Sequence, residues 1–169
     1  RSSDLPTNDS TDMTTALTEV GFSVQHLENV SRKEFRRAIR EFSDKLSEED
    51  IGLFYFSGHG VQVKGENYLI PIGADIQAAF EIEDEAVSVR SILGAMEESG
   101  SRLNVVILDA CRNNPFRSFR GFSTGLAIVH APQGTLVAFS TSPGGFADDG
   151  AGRNSPYTKH LVRMIRGSG

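Results

Sequence analysis

The sequence predicts an α/β fold: a single mostly parallel sheet sandwiched by helices. Three observations carry that prediction. Apolar runs that read as strands alternate along the chain with segments of helical period. Two of those runs, IGLFYFS (51–57) and NVVILDA (104–110), are nearly continuous in apolar residues, the pattern of strands covered on both faces. The length, 169 residues, suits one domain with a real core and is short for two.

The elements follow in order. Asp9 and Ser10 are placed to cap a helix whose Met13, Ala16, Leu17 and Val20 recur at helical spacing, and Gly21 is its stop. FSVQHL (22–27) alternates like a strand. SRKE (31–34) is a capping box, and Phe35, Ala38, Ile39, Phe42 and Leu46 behind it share one helical face. After the buried strand at 51–57, NYLIP (67–71) is a short strand, and Val89, Ile92, Leu93 and Met96 mark another helix. NVVILDA is a second buried strand and TLVAFS (135–140) a third. SPYTKHLVRMI (155–165) opens with Ser at the cap and Pro at the first helical position, so a last helix starts there.

Composition narrows the function. A net charge of −5 speaks against a nucleic-acid partner, and no apolar stretch reaches the length of a membrane span. No signal peptide is visible, and the lone cysteine excludes an internal disulfide while fitting a reducing compartment; the expected location is the cytoplasm. His26, His59, His130 and His160 stand in no metal-type spacing, so no metal is expected. The absence of G-x-G-x-x-G and of a P-loop speaks against a nucleotide binder.

In parallel sheets, ligands bind beyond the carboxyl ends of the strands. IGLFYFS runs into GHG and NVVILD runs into AC, so His59 and Cys111 each follow a buried strand. If the two strands are neighbours, imidazole and thiol face one cleft. A free Cys is usually a small buried hydrophobe. Cys111 instead ends a strand and precedes the polar turn Arg-Asn-Asn-Pro, where a thiolate can work. His59 sits between glycines that let chain and substrate come close, and an imidazole there can serve as acid or base. A Cys–His pair is the minimal apparatus of covalent acyl transfer. GFSTG (121–125) fits the serine-hydrolase motif G-x-S-x-G with Ser123 as nucleophile, but a polar, basic segment precedes it where that motif requires a strand; the stretch reads as a flexible loop.

FYFSGHG, followed about 50 residues later by LDAC, resembles the caspase-like cysteine peptidases, whose His–Cys interval this is. Asp109 and Asn113 replace the Gln and Gly of the caspase pentapeptide, and D-A-C resembles the metacaspase, paracaspase and orthocaspase branch. AFSTSPGGFADDGAGRNSPYTKHL resembles the start of the small-subunit half, so that about 1–125 is large-subunit-like and about 126–169 a partial small-subunit-like part of one domain. The usual first strand and C-terminal end of the family's domain are absent, which leaves a processed fragment, or remaining segments of the same precursor as partners, as expectations.

The resemblance implies the caspase-hemoglobinase fold and a cysteine endopeptidase with protein or peptide substrates. It implies Cys111 as nucleophile, His59 as acid and base, and the backbone N–H groups of Gly60 and Cys111 as oxyanion hole. It carries over Asp9 of TNDS, Ser57 and Asp109 as a substrate pocket, with Asp148 and Asp149 nearby, which selects Arg or Lys before the cut. A helix N-cap is the other role open to Asp9. Arg117 and Arg120 are candidate self-cleavage sites in a basic loop. No cofactor is required by this chemistry. Calcium activation occurs in some relatives; the acids of FEIEDEA (80–86) match no calcium loop and read equally as solvated charge. The alternative function is a caspase-like pseudoenzyme that acts as scaffold or regulatory module.

Overall fold

The computed structural model describes residues 5–110, 122–123, 125–141 and 152–167, with side chains at all of these except 122–123. Its elements are α1 (Leu5–Glu19), α2 (Arg32–Ser43), β1 (Ile51–Ser57), β2 (Gly60–Val63), β3 (Glu66–Leu69), α3 (Ile82–Glu85), β4 (Val87–Ser88), α4 (Val89–Glu98), β5 (Leu103–Asp109), β6 (Phe122–Ser123), β7 (Thr135–Phe139) and α5 (Pro156–Ile165).

β1, β5 and β7 form a parallel three-stranded sheet in that order, with β5 central. Side chains alternate across it, as strand geometry requires. Val106, Leu108, Phe54 and Phe56 pack toward Phe35 of α2 and Ile92 and Met96 of α4. Leu53 and Tyr55 pack the other way, onto Met13, Ala16 and Leu17 of α1 and Val162 of α5. The predicted sandwich is therefore the observed one. A second, antiparallel sheet, β4-β3-β2-β6, extends it and packs over a smaller core around Val61, Ile76 and Ile82.

Several expectations need correcting. α1 begins before Asp9, so Asp9 lies inside the helix, fully buried, and is not its cap. The stop at Gly21 holds: φ is +96°, and Phe22 N–H and Gly21 N–H bond back to the Leu17 and Thr18 carbonyls. Residues 22–27 run without a strand partner among the described residues, although Phe22 and Val24 do pack on the α1–α5 core. An alternating pattern marks a half-buried face, and it needs a neighbour to become a ladder. β1 and β7 are largely half-buried rather than covered on both faces, because each is an edge of the described sheet; only β5 fits the buried-strand pattern well. The capping box of α2 forms as read, with the Glu34 carboxylate returning to the Ser31 N–H at 2.8 Å. α5 has Ser155 at its cap and Pro at the start. Phe122 and Ser123, expected in a loop, pair in β6 with Val63 and Gln62, because the free edge of β2 offers them a ladder.

Candidate active site

The site is built where β1 and β5 end side by side. Their parallel register pairs Ser57 with Asp109. Two residues further along each chain come His59 and Cys111, so the condition set by the sequence, neighbouring strands, is met. Gly58 N–H donates to the Asp109 carbonyl at 3.3 Å and fastens the two strand ends together. Gly60 is buried, and a Cβ on it would stand 2.8 Å from the Ala110 carbonyl oxygen and 3.1 Å from the Ala110 Cβ. Only a glycine lets the chain after His59 lie this close to the residue that precedes Cys111. The His59 residue is exposed, while its carbonyl accepts from Ile70 N–H at 2.9 Å, which ties it to the hairpin β2–β3.

Beneath this rim lies a buried acidic pair. Strand alternation turns Ser57 and Asp109 to the face that carries α1 and α5. α1 contributes Asp9, and both carboxyl-bearing residues are 0% exposed. Ser57 Oγ donates to Asp9 Oδ2 at 3.0 Å, and the Ser155 backbone N–H donates to Asp9 Oδ1 at 2.9 Å. Ser155 Oγ donates to Asp109 Oδ2, and Thr158 Oγ1 donates to the same oxygen at 2.9 Å. Since the single hydroxyl proton of Thr158 goes to Asp109, Tyr55 must be the donor in its 2.6 Å bond to Thr158 Oγ1. Burial pushes the Tyr55 phenol far above its ordinary range, which keeps that proton in place.

Ser155 thus bridges the two acids, with its N–H on one and its hydroxyl on the other. Asp109 Oδ1 is buried and has no hydrogen-bond partner among the described residues. Asp9 is held above the usual carboxylate range, first by burial and also by the charge of Asp109; the bonds from Ser155 and Ser57 oppose the shift. The segment leading into Ser155 is clamped to α1: Arg153 donates through Nε and Nη2 to the two oxygens of Asp12, at 3.1 and 3.2 Å, and Asn8 Nδ2 donates to the Arg153 carbonyl at 3.2 Å.

Asp9, Ser57 and Asp109 are therefore brought together, and His59 and Gly60 stand at the rim above them. Cys111, Asp148, Asp149, Arg117 and Arg120 lie outside the described residues. Ser155, Thr158 and Tyr55 were missed as site residues. The sequence signal for Ser155 was present but was spent on its role as helix cap, and nothing local in SPYT tells that the same hydroxyl reaches Asp109.

Other candidates resolve differently. Ser123 sits in a strand, and no helix follows it among the described residues before Pro156, so the described residues do not supply the strand–turn–helix setting that the motif requires. Ser10, His26 and Glu28 cluster like a triad, but serine and carboxylate both reach the same ring nitrogen, at 3.1 and 3.3 Å, so the imidazole cannot relay between them. Two of the acids of 80–86 serve the backbone: Glu81 accepts from the Gln77 and Ala78 N–H groups, and Glu85 from that of Asp75. Among the described residues no group of His, Cys, Asp or Glu converges as a metal site, and no helix is long and apolar enough to cross a membrane.

The chain is 33% identical over 107 residues to the mucosa-associated lymphoid tissue lymphoma translocation protein 1 of Homo sapiens, covering 63% of this chain and 13% of that protein. Its Mus musculus homologue is 32% identical over 107 residues, 12% of its length. A protein of a Desulfuromonadales bacterium named as a probable protease is 27% identical over 146 residues, 79% of this chain and 17% of that one. The chain spans less than a fifth of the length of these relatives. The family model described as caspase domain matches residues 3–169, essentially end to end, and the chain belongs to the caspase domain family of peptidases.

Proposed function

We propose that this chain is a cysteine endopeptidase domain that cleaves protein substrates after Arg, and less well after Lys. The observation that carries the specificity is the buried pair Asp9 and Asp109, with Asp109 Oδ1 left unbonded, below the rim where His59 stands. Two buried carboxylates call for a cation, and a planar guanidinium offers them several donors at once. An Asp side chain in that pocket would add like charge without a partner.

In the chemistry we assign, the Cys111 thiolate adds to the scissile carbonyl carbon and the carbonyl oxygen takes the charge. Backbone N–H groups of Gly60 and Cys111 are the assigned donors to that oxyanion. Collapse breaks the C–N bond, and the His59 imidazolium gives its proton to the leaving amine. Water, deprotonated by His59, then attacks the thioester and releases the acid and the thiol. Self-cleavage after Arg117 or Arg120 follows from the same preference.

A thiol-reactive peptidyl probe with a terminal Arg tests this. It should label wild-type protein at Cys111, fail on Cys111→Ala, and label His59→Ala far more slowly. A folded protein that takes no label would favour the pseudoenzyme alternative instead.

A further inference from the structure

A cavity of about 630 Å³ opens between the start of α2 and the segment after β3. One wall is cationic: Lys33, Arg36 and Arg40 line it from successive turns of α2, and all three are exposed. Their charged groups make no hydrogen bond or ion pair with the described residues, unlike neighbouring Arg37, which is paired with Glu41. The opposite wall carries Asp84 and Glu85. Arg32 spans the two walls by donating to the Ala86 and Glu83 carbonyls, at 3.0 and 2.7 Å, and so fixes their separation. Pro71 and Ile72 lie between them, with Ile72 55% exposed.

The cavity is tied to the candidate active site through the main chain. Ile70 N–H bonds the His59 carbonyl, and Ile72 N–H bonds the Val30 carbonyl just before the α2 cap, at 3.1 Å. Ile70 and Ile72 are about 7 Å apart along extended chain. The groove therefore lies within the reach of a few residues of a substrate whose scissile bond is at His59.

We propose that the groove is an exosite that holds an acidic, extended segment of the protein substrate. This rests on the peptidase reading given above. Arg36 and Arg40 are four residues apart on α2, just over one helical turn and about 6 Å along the axis. Alternate residues of an extended peptide repeat at about 6.6 Å on one face. The segment that fits is acid-x-acid, its carboxylates on Arg36 and Arg40 and its intervening side chain turned to Asp84 and Glu85, where a neutral or basic residue is favoured. That acidic wall also disfavours a continuous polyanion such as nucleic acid, which would present charge to both sides.

The experiment is fluorescence anisotropy with the 169-residue chain carrying Cys111→Ala, so that binding is read without catalysis. The probe is a labelled peptide with two glutamates in Glu-x-Glu spacing and no Arg or Lys. Saturable binding is expected. Arg36→Glu with Arg40→Glu should weaken it at least about tenfold, as expected when charge attraction becomes repulsion. Asp84→Lys should tighten a fully acidic peptide. Thermal melts of both variants should match the parent. In the active chain, the double reversal should slow a substrate that carries the acidic segment and leave a short peptide substrate unchanged. Equal binding by the double-reversal protein, or displacement of the peptide by a single-stranded oligonucleotide at lower concentration than by unlabelled peptide, would overturn the proposal. If peptide binding behaves as expected but the active chain cleaves nothing, the groove stands as an acidic-peptide site, and the peptidase reading fails together with the exosite role that rests on it.

Discussion

Two aspartates carry the proposed specificity at the scale of single residues, and they predict opposite effects on stability and activity. Asp9 holds its proton more tightly in the folded chain than an ordinary carboxyl with a pKa of 3.8. The native state thus binds more protons than the unfolded one between 3.8 and the raised value, and stability falls as pH rises through that window. Below 3.8 the penalty is absent; above the raised value it is complete. Asp9→Asn removes the penalty while an amide oxygen can still accept from Ser155. The variant should melt higher at neutral pH, and its advantage over wild type should shrink toward pH 3. An advantage that grows on acidification would contradict the burial argument. Gly60 gives a second residue-scale prediction. Gly60→Ala puts a methyl 2.8 Å from the Ala110 carbonyl, a backbone atom that cannot swing aside. Displacing the strand ends beside the proposed nucleophile should lower kcat by about 100-fold or more while KM moves little. Wild-type turnover in that variant would mean that the close approach is not needed.

Among the elements, the ones with a complete local signal were legible. Ser31 and Glu34 specify both halves of the α2 cap within four residues, and the structure has both. Ser31→Ala should cost about 1 kcal/mol, read by denaturant titration; no loss would mean that the exposed cap is redundant with the packing of Phe35. The β2–β3 hairpin was legible in principle: Lys64 and Gly65 both take positive φ, 51° and 82°, the two-residue turn that a right-twisted hairpin favours. A Lys at the first turn position hides that signal, which is usually carried by Asn or Asp. The burial of β1 was misjudged because an apolar run reports what a strand can bury and not which neighbours it receives. The same gap explains residues 22–27, whose alternation is real and whose ladder partner is not among the described residues.

For the whole molecule, sheet order decides the site, and sheet order is what a local reading does not contain. Nothing in IGLFYFS or NVVILDA says that the two strands adjoin in a register that pairs Ser57 with Asp109. Of the proposed pocket residues, Asp9 and Ser57 reached the sequence reading through family resemblance, and Asp109 also through its place at the strand end. Ser155 and Thr158, which arrive from more than forty residues away to hold Asp109, carry no resemblance-based motif and were missed. The basic segment bearing Arg117 and Arg120, which follows β5 in the sequence, belongs to the same scale. If the chain cuts itself there, intact mass spectrometry should find fragments in wild-type protein that are missing from Cys111→Ala; identical masses would count against self-processing.

The central claim is that the buried acids select the residue before the cut. It is tested most directly by a fluorogenic peptide panel that varies only that residue, run on wild type, Asp109→Asn and Asp9→Asn. Wild type should prefer Arg over Lys and reject Asp. Each single variant should lose about 10- to 100-fold in kcat/KM on Arg, the loss of one charge-assisted hydrogen bond, and the Arg preference should collapse in the double variant. Efficient cleavage after Asp by wild type, or an Arg preference that survives the double substitution, would contradict the account.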